Sequence, residues 1–93
     1  MEADQIAAAI AAADPGVRAV YLFGSLAVGD PSHRGFDIDL AIEGGDVYTA
    51  EAVAESASFP VDVVSLERLP ATVRKRIRET GRRLFPRQAP PSA

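Results

Sequence analysis

Three short apolar runs, at residues 18–23, 36–42 and 61–66, constrain the fold of this 93-residue chain more than any other feature. Each run is mostly aliphatic or aromatic and lies near glycine, proline or polar residues, which is typical of β-strands. Segments with helical spacing precede, separate and follow the runs. The order helix, strand, helix, strand, helix, strand, helix predicts an α/β (α+β) fold, with a small mixed sheet of three to four strands and helices packed on one side.

The helical segments have recognisable ends. Ile6 and Ile10 lie one turn apart in an alanine-rich stretch, and Asp14-Pro15-Gly16 ends this first helix. A short second helix is predicted over 25–29 and a third over 46–58, with Asp46 as its N-cap. The last helix is predicted from Leu69-Pro70 to Gly81, with Val73 and Ile77 facing inward.

Length and composition limit the class of protein. A chain of 93 residues has room for one core, so we assign 1–85 to a single domain and the proline-rich 86–93 to a disordered tail. The chain has no cysteine and no apolar run near the roughly 20 residues that span a bilayer, so we expect a cytoplasmic protein.

Charge is unevenly distributed along the chain. Eight of the ten basic residues lie from Arg68 onward, whereas eleven of the thirteen acids precede Glu67. The basic end could form a phosphate-binding stripe, but a solvated helix face beside a disordered tail explains it more simply. The net charge of −3 offers RNA no general attraction, so we expect no nucleic-acid partner.

Three acids occupy runs that are otherwise apolar. Asp37 and Asp39 are two residues apart, so both project from one face of a strand, and Asp62 lies in the next predicted strand. A carboxylate on a mostly buried strand is costly unless a positive group satisfies it. Three convergent carboxylates suit a pair of Mg²⁺ ions, which also bind phosphate oxygens, whereas a single such acid would be read as a solvent-facing side chain.

Gly24-Ser25 follows the first predicted strand and precedes a predicted helix. Glycine allows close approach of the backbone to a ligand, and helix-terminal amides with a serine hydroxyl are donors suited to a triphosphate. Gly-Ser at such a junction is by itself a common turn, so its meaning depends on the three acids.

These residues carry a resemblance to a known family. Leu22-Phe23-Gly24-Ser25 with Ala27 and Gly29, then Asp37-Ile38-Asp39-Leu40 and Val61-Asp62-Val63-Val64, resemble the minimal nucleotidyltransferases of the DNA polymerase β-like superfamily. The closing stretch 69–85 resembles the family's terminal helix. The resemblance implies that Gly24 and Ser25 bind the β- and γ-phosphates of ATP, and that Asp37, Asp39 and Asp62 bind two Mg²⁺ ions and carry catalysis.

The sequence also departs from the family pattern. Val28 stands where many members have arginine, the spacing from Ser25 to Asp37 is one residue longer than usual, and Phe36 replaces a common serine. Arg34 is our candidate for the phosphate-facing cation. His33 is expected to face solvent, and Tyr21 and Tyr48 are expected to pack, although a tyrosine hydroxyl near the site could accept a nucleotide.

Small members of this family are similar to MntA-like antitoxins that pair with all-helical HEPN ribonucleases, and some transfer AMP to a tyrosine of the toxin. The resemblance therefore implies a protein adenylyltransferase with a HEPN toxin as partner. A module that neutralises its partner by steric contact is the alternative, motivated by Val28. A transferase for small molecules or tRNA ends ranks last, because those enzymes normally carry an added substrate domain.

Overall fold

In a computed structural model that describes residues 2–24, 38–58 and 60–86, the chain forms three α-helices and four strands. In chain order these are α1 (Glu2–Ala13), β1 (Val17–Phe23), β2 (Ile38–Gly44), α2 (Val47–Ala54), β3 (Val61–Ser65), a 3₁₀ turn (Leu66–Arg68), α3 (Ala71–Thr80) and β4 (Arg82–Phe85). None of the described helices is long and apolar enough to span a membrane. The helix predicted over 25–29 and most of the predicted tail, residues 87–93, lie outside the described residues.

The strands form one mixed sheet in the order β3-β2-β1-β4. β1 pairs antiparallel with both β2 and β4, and β2 pairs parallel with β3. The predicted mixed sheet is therefore confirmed, with four strands. The last helix ends at Gly81 as predicted, but Arg82–Phe85, part of the stretch that resembles the family's terminal helix, forms a strand that was not predicted. With two arginines among its four residues, this segment lacks the apolar pattern that would predict a strand.

The main core fills one face of the sheet. Ile6 and Ile10 of α1 and Ala50 and Ala54 of α2 pack there against the buried side chains of the strands, namely Val17, Val20, Leu22, Ile38, Leu40, Ile42, Val63 and Leu84. The one-turn spacing of the two isoleucines in α1 thus forms the predicted apolar stripe.

A second, smaller cluster lies on the opposite face. Ala41, Leu66 and Ile77 are buried there, with Tyr21 and Phe23 packed against them. The expectation that helices cover only one side is therefore wrong, because the 3₁₀ turn and α3 cover part of the second face. The reason is the alternation of β1 and β2, whose outward residues Tyr21 and Ala41 are themselves apolar and need cover.

Two aspartates connect the C-terminal end of α1 with the N-terminal end of α2. Asp14 accepts hydrogen bonds from Gly16 N at 2.9 Å and from Asp46 N at 2.7 Å. Asp46 in turn accepts from Tyr48 N at 3.1 Å, which confirms it as the N-cap of α2. α2 ends at Ala54, earlier than the predicted 58 and well before Pro60.

Two side chains predicted to pack do not. Val73 in the first half of α3 is 39% exposed and Tyr48 is 69% exposed, whereas Ile77 is buried as expected. α3 contacts the sheet through its C-terminal half, where Gly81 follows it and lies close to Leu22 O. Its first turn therefore leaves Val73 uncovered.

A polar network ties the second-face elements to the sheet. Glu67 of the 3₁₀ turn accepts hydrogen bonds from Gly44 N, from Arg18 Nη2 at 3.2 Å and from Ser65 Oγ at 3.1 Å. Glu43 of β2 accepts from Arg78 Nη2 of α3 at 2.8 Å, and this bond raises the pKa of Arg78 above its usual value. Partial burial raises the pKa of Glu67, but its hydrogen bonds to backbone amides and Ser65, with the charge of Arg18, outweigh burial and lower that pKa.

Because the folded state lowers the pKa of Glu67 below 4.5, the ionised carboxylate stabilises the fold above that pH, and this contribution is lost on acidification. We expect Glu67→Gln to lower the free energy of unfolding by about 1 kcal/mol at pH 7. The difference in Tm should shrink between pH 5 and pH 3, roughly the window of that titration. Thermal unfolding followed by circular dichroism at several pH values checks this.

Glu79→Gln is the matched control, since it removes the same charge from an exposed residue whose ion pair with Lys75 has an N···O distance of 3.9 Å. A Tm difference for Glu67→Gln that persists unchanged at pH 3 would show that Glu67 acts by packing and not by charge.

Candidate active site

Asp39 and Asp62 lie side by side on adjacent strands. They are register partners in the parallel pair of β2 and β3, so their Cα atoms are about 4.8 Å apart and their side chains project from the same face. This is the face of Ala41 and Val64, which are packed in the second cluster. The structure therefore brings these two of the three predicted acids together, with Asp39 half-buried and Asp62 exposed.

Gly24 completes this end of the sheet. Phe23, the last residue of β1, pairs with Asp39, and Gly24 follows it with φ +82°. A Cβ built on Gly24 would lie 2.8 Å from Asp39 Oδ2, closer than real Cβ contacts allow. A small shift of the Asp39 carboxylate would make room for a Cβ, but the positive φ itself favours glycine here. The backbone of the turn runs directly past an acidic side chain, as the sequence predicted.

An open groove of about 720 Å³ runs beside the two aspartates. It lies beside the edge strand β3, and it is lined by Asp39 and Asp62, by Glu51 of α2 and by Glu55, which follows α2. A groove with this lining attracts cations and repels free anions. An anionic ligand would enter it only together with a metal ion or another positive group.

Several predicted site residues cannot be placed. Asp37, Ser25 and Arg34 lie outside the described residues, as does His33. Among the described residues no three carboxylate or imidazole groups cluster closely enough to hold a metal ion. The described part of the site therefore consists of Gly24, Asp39 and Asp62.

Tyr48 lies far from this site. It is in the first turn of α2, just beyond the C-terminal end of β2, whereas Asp39 is near the start of that strand. Gly44 lies five positions after Asp39, so the two ends are roughly 17 Å apart. Tyr48 therefore cannot reach the carboxylates of its own chain as a nucleotide acceptor.

Arg83 is a residue of this face that sequence reasoning missed. It pairs with Tyr21 across β1 and β4, so it projects from the same face as Tyr21, Asp39 and Asp62. Its side chain is half-buried, and its Nε is buried without a hydrogen-bond partner in the described part of the chain. The only usable signal was its place in β4, a strand that was not predicted.

The fold resembles solved toxin–antitoxin structures. One, a toxin–antitoxin crystal structure with AMP-PNP, matches with a TM-score of 0.70 and 25% sequence identity, covering 91% of this chain and 74% of that chain. A mutant of the MntA-HpeT toxin–antitoxin matches with a TM-score of 0.69 and 22% identity over the same shares. A second MntA-HpeT mutant matches with a TM-score of 0.59 and 26% identity, covering 80% of this chain and 63% of that chain.

No curated protein matches the sequence of this chain. The family described as "Polymerase beta, Nucleotidyltransferase" matches residues 5–89, a span that contains Gly24, Asp39 and Asp62. The match extends over nearly the whole chain and agrees with the four-stranded mixed sheet and the paired aspartates. The chain therefore belongs to the polymerase β nucleotidyltransferase family.

Proposed function

We propose that the chain is the antitoxin of a toxin–antitoxin pair and transfers AMP from ATP to a hydroxyl of its toxin partner. The observation that carries the proposal is the pairing of Asp39 with Asp62 next to the Gly24 turn. Nucleotidyl transfer needs carboxylates that bind metal beside a backbone that binds phosphate, and these residues bring both to one end of the sheet. The likeness to a toxin–antitoxin structure with AMP-PNP supports the nucleotide and the kind of partner.

The donor chemistry fits Mg²⁺. Asp39 and Asp62 offer oxygen ligands on adjacent strands and face an open groove, and Mg²⁺ prefers one or two carboxylates together with phosphate oxygens and water. We assign Asp39 and Asp62 as ligands, with Asp37 as the third. Bound there, Mg²⁺ would neutralise phosphate charge and lower the pKa of the acceptor hydroxyl.

The chain's own residues then have distinct roles. The Gly24 backbone, with Ser25 beside it, orients the β- and γ-phosphates so that the α-phosphorus lies near the carboxylates, and Arg34 is our candidate for an added phosphate contact. The acceptor oxygen attacks the α-phosphorus, its proton passes to Asp62, and the bond to the β-phosphate breaks as pyrophosphate leaves. Asp62 suits proton transfer because it is exposed on an edge strand and reachable from outside.

We place the acceptor on another chain. The described residues form one sheet and its covering helices, and the groove beside the aspartates is open to a second protein. A HEPN-type all-helical toxin is our proposed partner, with a tyrosine hydroxyl as acceptor.

Label transfer from α-³²P-ATP to the purified toxin partner in the presence of Mg²⁺ tests this function. We expect Asp39→Asn and Asp62→Asn each to lower the rate of transfer by more than about a hundredfold, because each removes a charged metal ligand worth several kcal/mol in the transition state. The readout is label in the toxin band after electrophoresis, at equal concentrations of folded protein.

Asp46→Asn is the matched control. It removes the same charge at the opposite end of the sheet, and asparagine caps α2 as well as aspartate does. Transfer should be unchanged in this variant. If the wild-type protein silences the toxin without transferring label, and Asp39→Asn silences it equally well, the chain is a steric binding module and the enzymatic proposal fails.

Gly24→Ala tests the turn separately from the metal ligands. The added methyl group would meet Asp39 Oδ2 and force a positive φ on alanine, so we expect a loss of about 1–2 kcal/mol in stability. The affinity for MgATP should fall by more than this loss of stability explains, because the backbone N–H donors of the turn move. Calorimetric titration with MgATP, at a temperature where the variant is fully folded, measures this effect.

Val20→Ala serves as the comparison, since it removes buried methyl groups from the main core without touching the turn. Its stability should fall by a similar amount, about 1.6 kcal/mol or more, with MgATP binding retained. Equal weakening of binding in both variants would mean that the turn has no special part in holding the nucleotide.

A further inference from the structure

Arg83 is placed where it can reach a ligand of the aspartate site. β4 and β2 flank β1 on either side, so Arg83 lies about 10 Å across the sheet from Asp39. Along the strands the two are offset by two residues, since Arg83 pairs with Tyr21 and Asp39 pairs with Phe23, which adds roughly 7 Å. Both side chains project from the same face, with Tyr21 and Phe23 of β1 between them and Gly24 just beyond Phe23.

The surroundings of Arg83 differ from those of other arginines on this face. Arg78 donates to Glu43, and Arg74 donates to the carbonyl oxygens of Glu67 and Leu69. The buried Nε of Arg83 has no hydrogen-bond partner in the part of the chain that the structure describes. A buried donor without a partner costs free energy, and a ligand that accepts from it would recover that cost.

The layout of charges indicates which ligand this is. In the proposed function the carboxylates on β2 and β3 hold the metal ions beside the α-phosphate, and the Gly24 turn ends β1. A triphosphate with its α-phosphate at these carboxylates can extend across β1 toward β4. Its terminal phosphates then come nearest to Arg83, whose guanidinium is suited to paired phosphate oxygens.

The geometry points to Arg83 as a phosphate-binding residue for the terminal phosphates of the nucleotide, which depart as pyrophosphate. This inference rests on the proposed function and adds a residue of β4 to it. Arg83 holds the leaving group and does not touch the acceptor or the metal ligands. Its effect therefore depends on the number of phosphates in the ligand.

Arg83→Met keeps the apolar stem of the side chain and removes the charge. We expect it to weaken binding of a non-hydrolysable MgATP analogue by about ten- to a hundredfold, the loss of a charge-assisted contact, and to leave binding of AMP unchanged. Isothermal titration calorimetry with both nucleotides measures the two affinities. Arg83→Lys should recover part of the loss, because it restores charge without the paired donors.

Arg82→Met is the matched control. Arg82 pairs with Leu22, a main-core residue, so it projects from the opposite face and is exposed. The variant Arg82→Met removes the same charge one residue away from Arg83. Its affinity for both nucleotides should equal that of the wild type. If Arg82→Met and Arg83→Met weaken binding of the MgATP analogue equally, the effect comes from net charge and not from a contact of Arg83. That result would overturn the inference.

The remaining outcomes separate this inference from the proposed function. If wild type binds the analogue and Arg83→Met binds it equally well, Arg83 has only a packing role and the inference fails alone. If wild type binds no nucleotide while thermal unfolding shows it folded, the proposed function and the inference fail together. Equal weakening of AMP and analogue binding, with a lowered Tm, would assign Arg83 a structural role and overturn the inference.

Discussion

The parallel register of β2 and β3 is the constraint on which the site depends. Asp62 lies opposite Asp39 only because Val61 and Val63, on either side of it, pack toward the main core. A slip of one residue would turn Asp62 into that core and expose both valines. Such a slip is unfavourable because it buries a charge and removes apolar side chains from the core. Core packing therefore enforces the spacing of the two carboxylates.

The two ends of the second face of the sheet have different roles. At one end Arg18, Glu43, Glu67 and Arg78 fasten the 3₁₀ turn and α3 to the strands. At the other end lie Asp39, Asp62 and the Gly24 turn, and the groove beside the two aspartates is open. Because the small apolar cluster of Ala41, Leu66 and Ile77 holds the covering elements in the middle, the end that carries the aspartates can receive a ligand without loosening the fold.

The sequence pattern predicted those parts of the fold that depend on local alternation. The strands around Leu22, Leu40 and Val63 and the common face of Asp39 and Asp62 follow from a period of two, and Asp46 follows from capping chemistry. The pattern could not predict β4, because a strand of four residues with two arginines has no apolar alternation of its own. It forms because β1 offers a free edge, which is a tertiary effect. The exposure of Tyr48 and Val73 has the same origin, since only the placement of α2 and α3 decides it.

The uneven charge along the chain acquires a structural meaning once β4 is placed. The acidic part contributes Asp39 and Asp62, and the basic closing part returns beside β1 and brings Arg83 to the same face. An overall charge of −3 thus says little about phosphate binding, because local charges act over about a Debye length of 8–10 Å while distant ones are screened. In the proposed complex the carboxylates hold the cations and Arg83 holds the terminal phosphates of one triphosphate, so the order of charges along the chain corresponds to their order across the sheet.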